Sequence, residues 1–314
     1  MILDYAGACG ILGALRSKSI KEQDLNILEE KNEAYILDFL KDYLEEKYPP
    51  TYELMFMEKA LYELFLERVG KLYKFLGKRP RKILESLVQE FNLLNLSLAL
   101  RKLKVEAKED SLCFLEFSLS VFKNRRLQEL FSLEELDKFL IKYPFLRRTF
   151  LRALKDLDFY KDLFYFDISL QRSYLENIWE LSEDLDKKSS QLLKSFVKVK
   201  SLIYSLRLKF FQNRSLEEVR SLLPLYTFSK EALEVLKVSS FNESLDIINS
   251  SPLFLEFRRN ISWNFEEELH QGFYKTFLEK RGINFFSPFV YLSFYLGQRY
   301  LTEKLIFIIN NKLS

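Results

Sequence analysis

The sequence predicts an all-α protein made of three tandem helical modules related by a pseudo-threefold repeat, and three observations carry that prediction. Helix breakers are scarce, with 8 Gly and 7 Pro in 314 residues, against the roughly 12% that these two residues make up in an average chain. Apolar residues recur at alternating intervals of three and four along most of the length, the spacing of one buried helix face. Short patterns also reappear about one third of the chain apart, which is far longer than one helix and points to a copied module.

The elements follow in order. In residues 1–110, the uncharged stretch from Tyr5 to Leu15 follows Asp4 rather than a basic region, so it does not read as a signal peptide. Its glycines Gly7, Gly10 and Gly13 lack a preceding strand, so they read as helix close-packing positions rather than a phosphate cradle. Ser19 followed by Glu22 reads as a capping box opening a helix, and Pro49-Pro50 as a break. Leu84, Leu87, Phe91, Leu94 and Leu98 form one apolar stripe, and Leu93, Leu96, Leu100 and Leu103 a second, so that helix should be largely buried. In residues 111–210, Ser132 and Glu135 form another box, and Leu192, Phe196, Val199, Ile203, Leu206 and Phe210 another stripe. In residues 211–314, Ser215 and Glu218 open a helix, while Ser251-Pro252 and Ser287-Pro288 interrupt the pattern.

Three repeats tie these regions together. The run Phe122-Lys-Asn-Arg-Arg-Leu-Gln-Glu-Leu130 resembles Phe211-Gln-Asn-Arg-Ser-Leu-Glu-Glu-Val219. An apolar–acid–x–x–Leu–x–x–x–aromatic pattern occurs as Met57-Glu58…Leu61…Phe65, Phe166-Asp167…Leu170…Tyr174 and Phe265-Glu266…Leu269…Phe273. A third pattern comprises Asn92, Asn95 and Arg101, then Lys198, Ser201 and Arg207, then Leu301, Lys304 and Asn310. From acid to last position the separations are 43, 40 and 44 residues, and Arg101, Arg207 and Asn310 lie 106 and 103 apart.

Composition excludes several function classes. A net charge of +3, from 48 Lys and Arg against 45 Asp and Glu, argues against wholesale wrapping of nucleic acid. Two cysteines, Cys9 and Cys113, give no disulfide framework and favour a reduced setting. The one histidine, His270, sits in an acidic helical stretch and reads as a solvated helix-face residue. No His-rich metal cage, nucleotide-binding glycine loop or paired Asp-rich metal motif is present, so no metal or cofactor is expected. The longest uncharged run, Gly282 to Gln298, has 17 residues and contains Asn284, Ser287 and Pro288, short of the ~20 apolar residues a spanning helix needs.

These residues resemble a known family over nearly the whole chain: the funnel-shaped central-stalk subunit of rotary ATPases, called C in A/V-type enzymes and d in eukaryotic vacuolar ones. The opening Tyr5-Ala-Gly-Ala-Cys-Gly-Ile-Leu-Gly-Ala-Leu-Arg-Ser-Lys18 is similar to the family's first helix. Asn92-Leu-Leu-Asn95-Leu96 with Arg101 resembles its Asp-x-x-Asn-Leu-x-x-x-x-Arg helix, and Lys198, Ser201 and Arg207 do so more loosely. The stretch from Leu208 to Leu236 is similar to its link into the third module, and the ending from Pro288 to Lys312 to its terminal helix. The chain departs from the pattern at Asn92 and Lys198, which stand for Asp, and at Ser201, which stands for Asn. An acid expected near Leu301 and a Gly expected at Asn311 are also missing.

The resemblance implies a funnel or socket of modules 1–110, 111–210 and 211–314 that is not an enzyme. It would rest on the membrane proteolipid ring, receive a shaft of coiled-coil D-type and small F-type subunits, and carry torque between catalytic head and ring. It implies one copy per complex and a peripheral position on the cytoplasmic membrane face. Two features fit that role. Residues 1–67 carry a net −7 and residues 68–104 a net +8, and Lys71, Lys74, Lys78, Arg79, Arg81 and Lys82 gather around Gly77 and Pro80 as a candidate partner interface. The segment from Phe285 to Tyr295 holds six aromatics in eleven residues, most of them expected in the third module's core. Glu58, Asn92, Asn95, Arg101, Asp167, Arg207, Glu266, Lys304 and Asn310 read as structural repeat residues, with Glu58 and Asp167 as expected partners for Arg101 and Arg207. A helical-repeat adaptor binding a peptide or protein is the rival reading, but it predicts units of 34 to 47 residues. A prenyl-chain synthase would need the absent Asp-rich motifs.

Overall fold

Scarce breakers and helical spacing give long helices, and the computed structural model contains no strand among its described residues, which are 11–51, 53–105, 114–122, 132–223, 230–250, 262, 264–279 and 287–313. The protein is all-α. Residues 11–17 are helical, and α1 (Glu22–Glu30), α2 (Glu33–Leu44), α3 (Leu54–Tyr73), α4 (Lys78–Val105), α5 (Leu133–Leu140), α6 (Pro144–Tyr160), α7 (Leu163–Glu183) and α8 (Lys187–Leu206) follow. A π-helical turn, Arg207–Phe211, continues α8. Then come α9 (Leu216–Leu222), α10 (Lys230–Lys237), α11 (Phe241–Ser250), α12 (Phe265–Phe273) with a second π turn, Tyr274–Glu279, and the terminal α13 (Pro288–Leu313). Cys9, Cys113, Gly7, Gly10, the run 123–130, Ser251-Pro252, Phe285 and Phe286 lie outside the described residues.

Start signals work where a short polar side chain can reach the free amides of a first turn. Ser215 accepts from the Glu218 amide at 3.2 Å while the Glu218 carboxylate accepts from the Ser215 amide at 2.9 Å. Ser132 accepts from the Glu135 amide, and Asn32, Asp162 and Asp186 cap α2, α7 and α8 in the same way. The expected Ser19–Glu22 box does not form. Ser19 Oγ instead donates back to the Leu15 carbonyl at 2.7 Å, and α1 starts behind Lys21, whose amide donates to Asp24. Pro80 sits in the first turn of α4, where a missing N–H is harmless.

By contact the chain groups into two compact units, Met1–Phe150 with Phe294–Ser314, and Leu151–Ser293. In the first unit the core is built on Ile36 and Leu40 of α2, Met57, Leu61 and Phe65 of α3, and Leu87 and Phe91 of α4, all buried. Phe91 is its aromatic hub, with ring centroids 5.9 Å from Phe65 and 6.3 Å from Phe117. The ring of Tyr295 of α13 lies tilted against Phe65, centroids 5.4 Å apart, and its hydroxyl donates to the Leu87 carbonyl at 3.0 Å. The terminal helix is therefore part of the core begun by α3 and α4, about 200 residues earlier in the chain.

Both predicted stripes of α4 contribute buried residues, Leu84, Leu87 and Phe91 from the first and Leu93, Leu96 and Leu100 from the second, but Leu94 of the first stripe is 42% exposed. A helix of 28 residues drifts relative to a fixed stripe of alternating threes and fours, so its second half buries the adjacent row.

The second unit packs α7 against α8, α12 against α8 and α10 against α11. Leu192, Phe196, Val199, Ile203 and Leu206 are all buried on α8 as the stripe predicts, with Phe210 half-buried in the π turn. A second apolar cluster joins Tyr165 and Ile168 of α7 to Leu208, Val219, Leu222 and Leu236.

Candidate functional site

The repeated residues occupy matching surroundings in three helices. Met57, Leu61 and Phe65 on α3, Phe166, Leu170 and Tyr174 on α7, and Phe265, Leu269 and Phe273 on α12 are all buried. The acid after the first apolar residue, Glu58, Asp167 or Glu266, is half-buried in each helix. A carboxylate at the edge of a buried face needs a donor nearby. Glu58 accepts from the Asn310 side-chain amide at 2.7 Å, within the first unit. Glu266 holds Arg207 through a two-pronged pair within the second unit. The partner of Arg207 is thus the acid of the following repeat, and Glu58 serves Asn310. Arg101 is half-buried on α4 and Asp167 on α7.

The Arg207 side chain is 51% exposed. Solvent screens such a pair, so Arg207→Ala is expected to lower stability by no more than about 1 kcal/mol. A urea midpoint shift worth several kcal/mol would contradict that assignment.

Asn92 and Asn95 of α4 have a definite task. Asn95 is fully buried; its side chain donates to the Leu115 carbonyl and accepts from the Leu115 amide, both at 2.8 Å. One turn earlier, Asn92 accepts from Ser120 Oγ and from the Val121 amide at 3.2 Å. Residues 114–122 are non-helical, so these side chains satisfy main-chain groups that no ladder satisfies. On α3, Glu63 accepts from the Glu116 amide at 2.9 Å. A Cβ added at Gly70 would collide with the Ser118 hydroxyl, so this mid-helix glycine lets the segment lie close. At the position matching Asn95, α8 carries Ser201, whose buried hydroxyl has no hydrogen-bond partner. The shorter side chain does not reproduce the clamp there.

The matching position in α13, Lys304, is buried with its ammonium 2.8 Å from Glu29 of α1 and 3.4 Å from Asn26 Oδ1. Five residues before it, Arg299 is 5% exposed and lies between two carboxylates. It makes a two-pronged pair with the buried Glu90 of α4 and reaches Glu303 at 3.0 Å. Burial pushes the phenols of Tyr62 and Tyr295 far above their ordinary range, so both stay neutral beside this network. Sequence reasoning missed Arg299, Glu90 and Glu303. One signal was available, since Arg299 is the first charge after the 17-residue uncharged run and has a carboxylate four residues on.

The basic turn between α3 and α4 divides into two sets. Arg81 is structural: its guanidinium donates to the Tyr73 carbonyl at 3.1 Å and the Lys74 carbonyl at 3.0 Å, and lies over the Tyr73 ring. It closes the C-terminal end of α3, where carbonyls lack helical partners. The Tyr73 hydroxyl in turn donates to Glu85, and Lys71 pairs with Glu67 at 2.7 Å. Lys74, Lys78, Arg79 and Lys82 are exposed, and so is Phe75, at 50%.

The leading phenylalanine of the first repeat run differs between copies: Phe122 is buried, while Phe211 is 55% exposed and stacks on Phe265. His270 is half-buried in the last turn of α12. Among the described residues, no helix is long and apolar enough to cross a membrane, and no three His, Cys, Asp or Glu side chains converge as a metal site.

Among curated proteins, none matches the chain at a significant level. The helices described above are nevertheless those of a known family: the model of the ATP synthase (C/AC39) subunit matches residues 8–313, so the chain belongs to that family.

Proposed function

We propose that the chain is the non-catalytic central-stalk rotor subunit of a V/A-type ATPase or ATP synthase, one copy per complex. In this reading modules 1–110, 111–210 and 211–314 surround a pseudo-threefold axis as a funnel. It sits peripherally on the cytoplasmic face, rests on the proteolipid ring and receives the D- and F-type shaft. It passes torque between shaft and ring and performs no chemistry of its own. The repeat residues Glu58, Asn92, Asn95, Arg101, Asp167, Arg207, Glu266, Lys304 and Asn310 hold the modules in shape, and the turn bearing Lys74, Lys78, Arg79, Arg81 and Lys82 faces the membrane side.

Beyond family membership, one observation carries the reading. The terminal helix α13, which falls in the proposed third module, contributes Tyr295, Arg299, Lys304 and Asn310 to the core and polar network built by α1, α3 and α4. In a linear stack of repeats each unit touches only its neighbours, so a first and a last module in contact favour closure over the helical-repeat adaptor. A torque-bearing socket needs such closure, because an open stack would splay under load.

Expression with its neighbouring subunits and affinity capture on this chain tests the proposal. The expected result is co-purification of a proteolipid ring and a coiled-coil shaft, with cross-links from this chain to both. Capture of a soluble partner with neither ring nor shaft would reject it.

A further inference from the structure

We propose that the turn between α3 and α4 docks on anionic phospholipid headgroups, with Phe75 entering the interfacial zone and Lys74, Lys78 and Lys82 meeting the phosphates. The inference rests on reading this turn as the membrane-facing one, and it names the ligand that such a surface takes.

Residues 71–82 contain six cations and no acid. The fold itself uses Lys71 and Arg81, through Glu67 and through the open end of α3. Lys74, Lys78 and Lys82 are exposed on the same turn as Phe75, whose ring is half exposed. A bilayer surface accepts both groups, since phosphates attract the cations and the boundary below them takes an aromatic side chain. An acidic protein fits less well, because a stable protein interface covers about 800 Å² on each partner, and this patch is confined to one turn at the shared end of two helices. The anchoring is also firm: Arg81, Tyr73 and Glu85 tie the turn to the first residues of α4, so the cations and the ring are held together rather than on a loose loop.

The test is sedimentation of the full chain, without ring or shaft, with phosphatidylcholine vesicles that hold or lack about 30 mol% phosphatidylserine. Binding to the anionic vesicles at ~50 mM salt and its loss at ~500 mM are expected, because screening shortens the reach of these charges. Lys74→Glu, Lys78→Glu and Lys82→Glu together should weaken binding roughly a hundredfold, and Phe75→Ser about tenfold. These side chains are exposed, so melting should not change, and the salt series on the unaltered chain tests the charge requirement without any variant. Equal binding to neutral vesicles, unaltered binding by either variant, or tighter binding to polyglutamate than to anionic vesicles would overturn the proposal. Because the assay contains no other subunit, a negative result leaves the rotor assignment standing, and failure of ring capture leaves lipid binding standing.

Discussion

Arg299→Ala is expected to destabilise the first unit by about 3–5 kcal/mol. The guanidinium is 5% exposed and offsets Glu90, itself 9% exposed, and Glu303. Its removal leaves a buried carboxylate without a counter-charge, which costs far more than the intact pair contributes. The consequence is a sharp contrast between variants. Arg299→Met combined with Glu90→Leu should recover most of the loss, because an apolar pair of similar volume carries no desolvation penalty. Both tryptophans, Trp179 and Trp263, belong to the second unit by position. Tryptophan emission therefore follows that unit, while circular dichroism follows both. In urea, Arg299→Ala should bring forward a far-ultraviolet transition that tryptophan emission does not share. A shift below about 1 kcal/mol would mean that Glu90 finds water or another donor when Arg299 is gone.

Asn95→Ala should follow at about 2–4 kcal/mol. It removes both partners of Leu115, leaving a buried amide and a buried carbonyl unpaired, and each such group costs about 1–3 kcal/mol. Asn95→Asp separates the two contributions: a carboxylate still accepts from the amide but cannot donate to the carbonyl, so it should not rescue the alanine variant. Asn92→Ala should cost less, about 1 kcal/mol, because its bonds are longer, at 3.2 Å, and their donors Ser120 and Val121 are only half-buried. Limited proteolysis supplies the second readout. Cutting near residues 114–122 should accelerate in Asn95→Ala more than in Asn92→Ala. Equal protection of the segment in both would show that Glu63 and the contacts at Gly70 suffice to hold it.

The same residues show how far the sequence could be read. Asn92 and Asn95 were recognisable because two amides three residues apart lie on one face of an otherwise apolar helix. What they bind was not, since residues 114–122 carry no periodic signal and their need for partners is a main-chain property. Arg81 illustrates the opposite case. In sequence it is one more cation in a basic run, and only its position beside the open carbonyls of Tyr73 and Lys74 separates it from Lys78 and Lys82. The Ser19–Glu22 pair had the right spacing for a capping box and failed because Ser19 bonds to Leu15 instead, a local competition that spacing does not register.

From the order of its residues alone this protein is all-α, repeats the buried triplet of α3 in α7 and α12, and opens its helices at Ser132 and Ser215, because these properties depend on neighbours within a turn or two. Tertiary structure alone decided that Arg299 meets Glu90, that Lys304 meets Glu29 and that Tyr295 completes the core around Phe65. Those partners lie more than 200 residues apart, and many helical acids or apolar residues could have served equally well. Burial selects among them: once α13 packs into the first unit, each charge carried inside must meet an opposite charge within reach, and the fold determines which one is there.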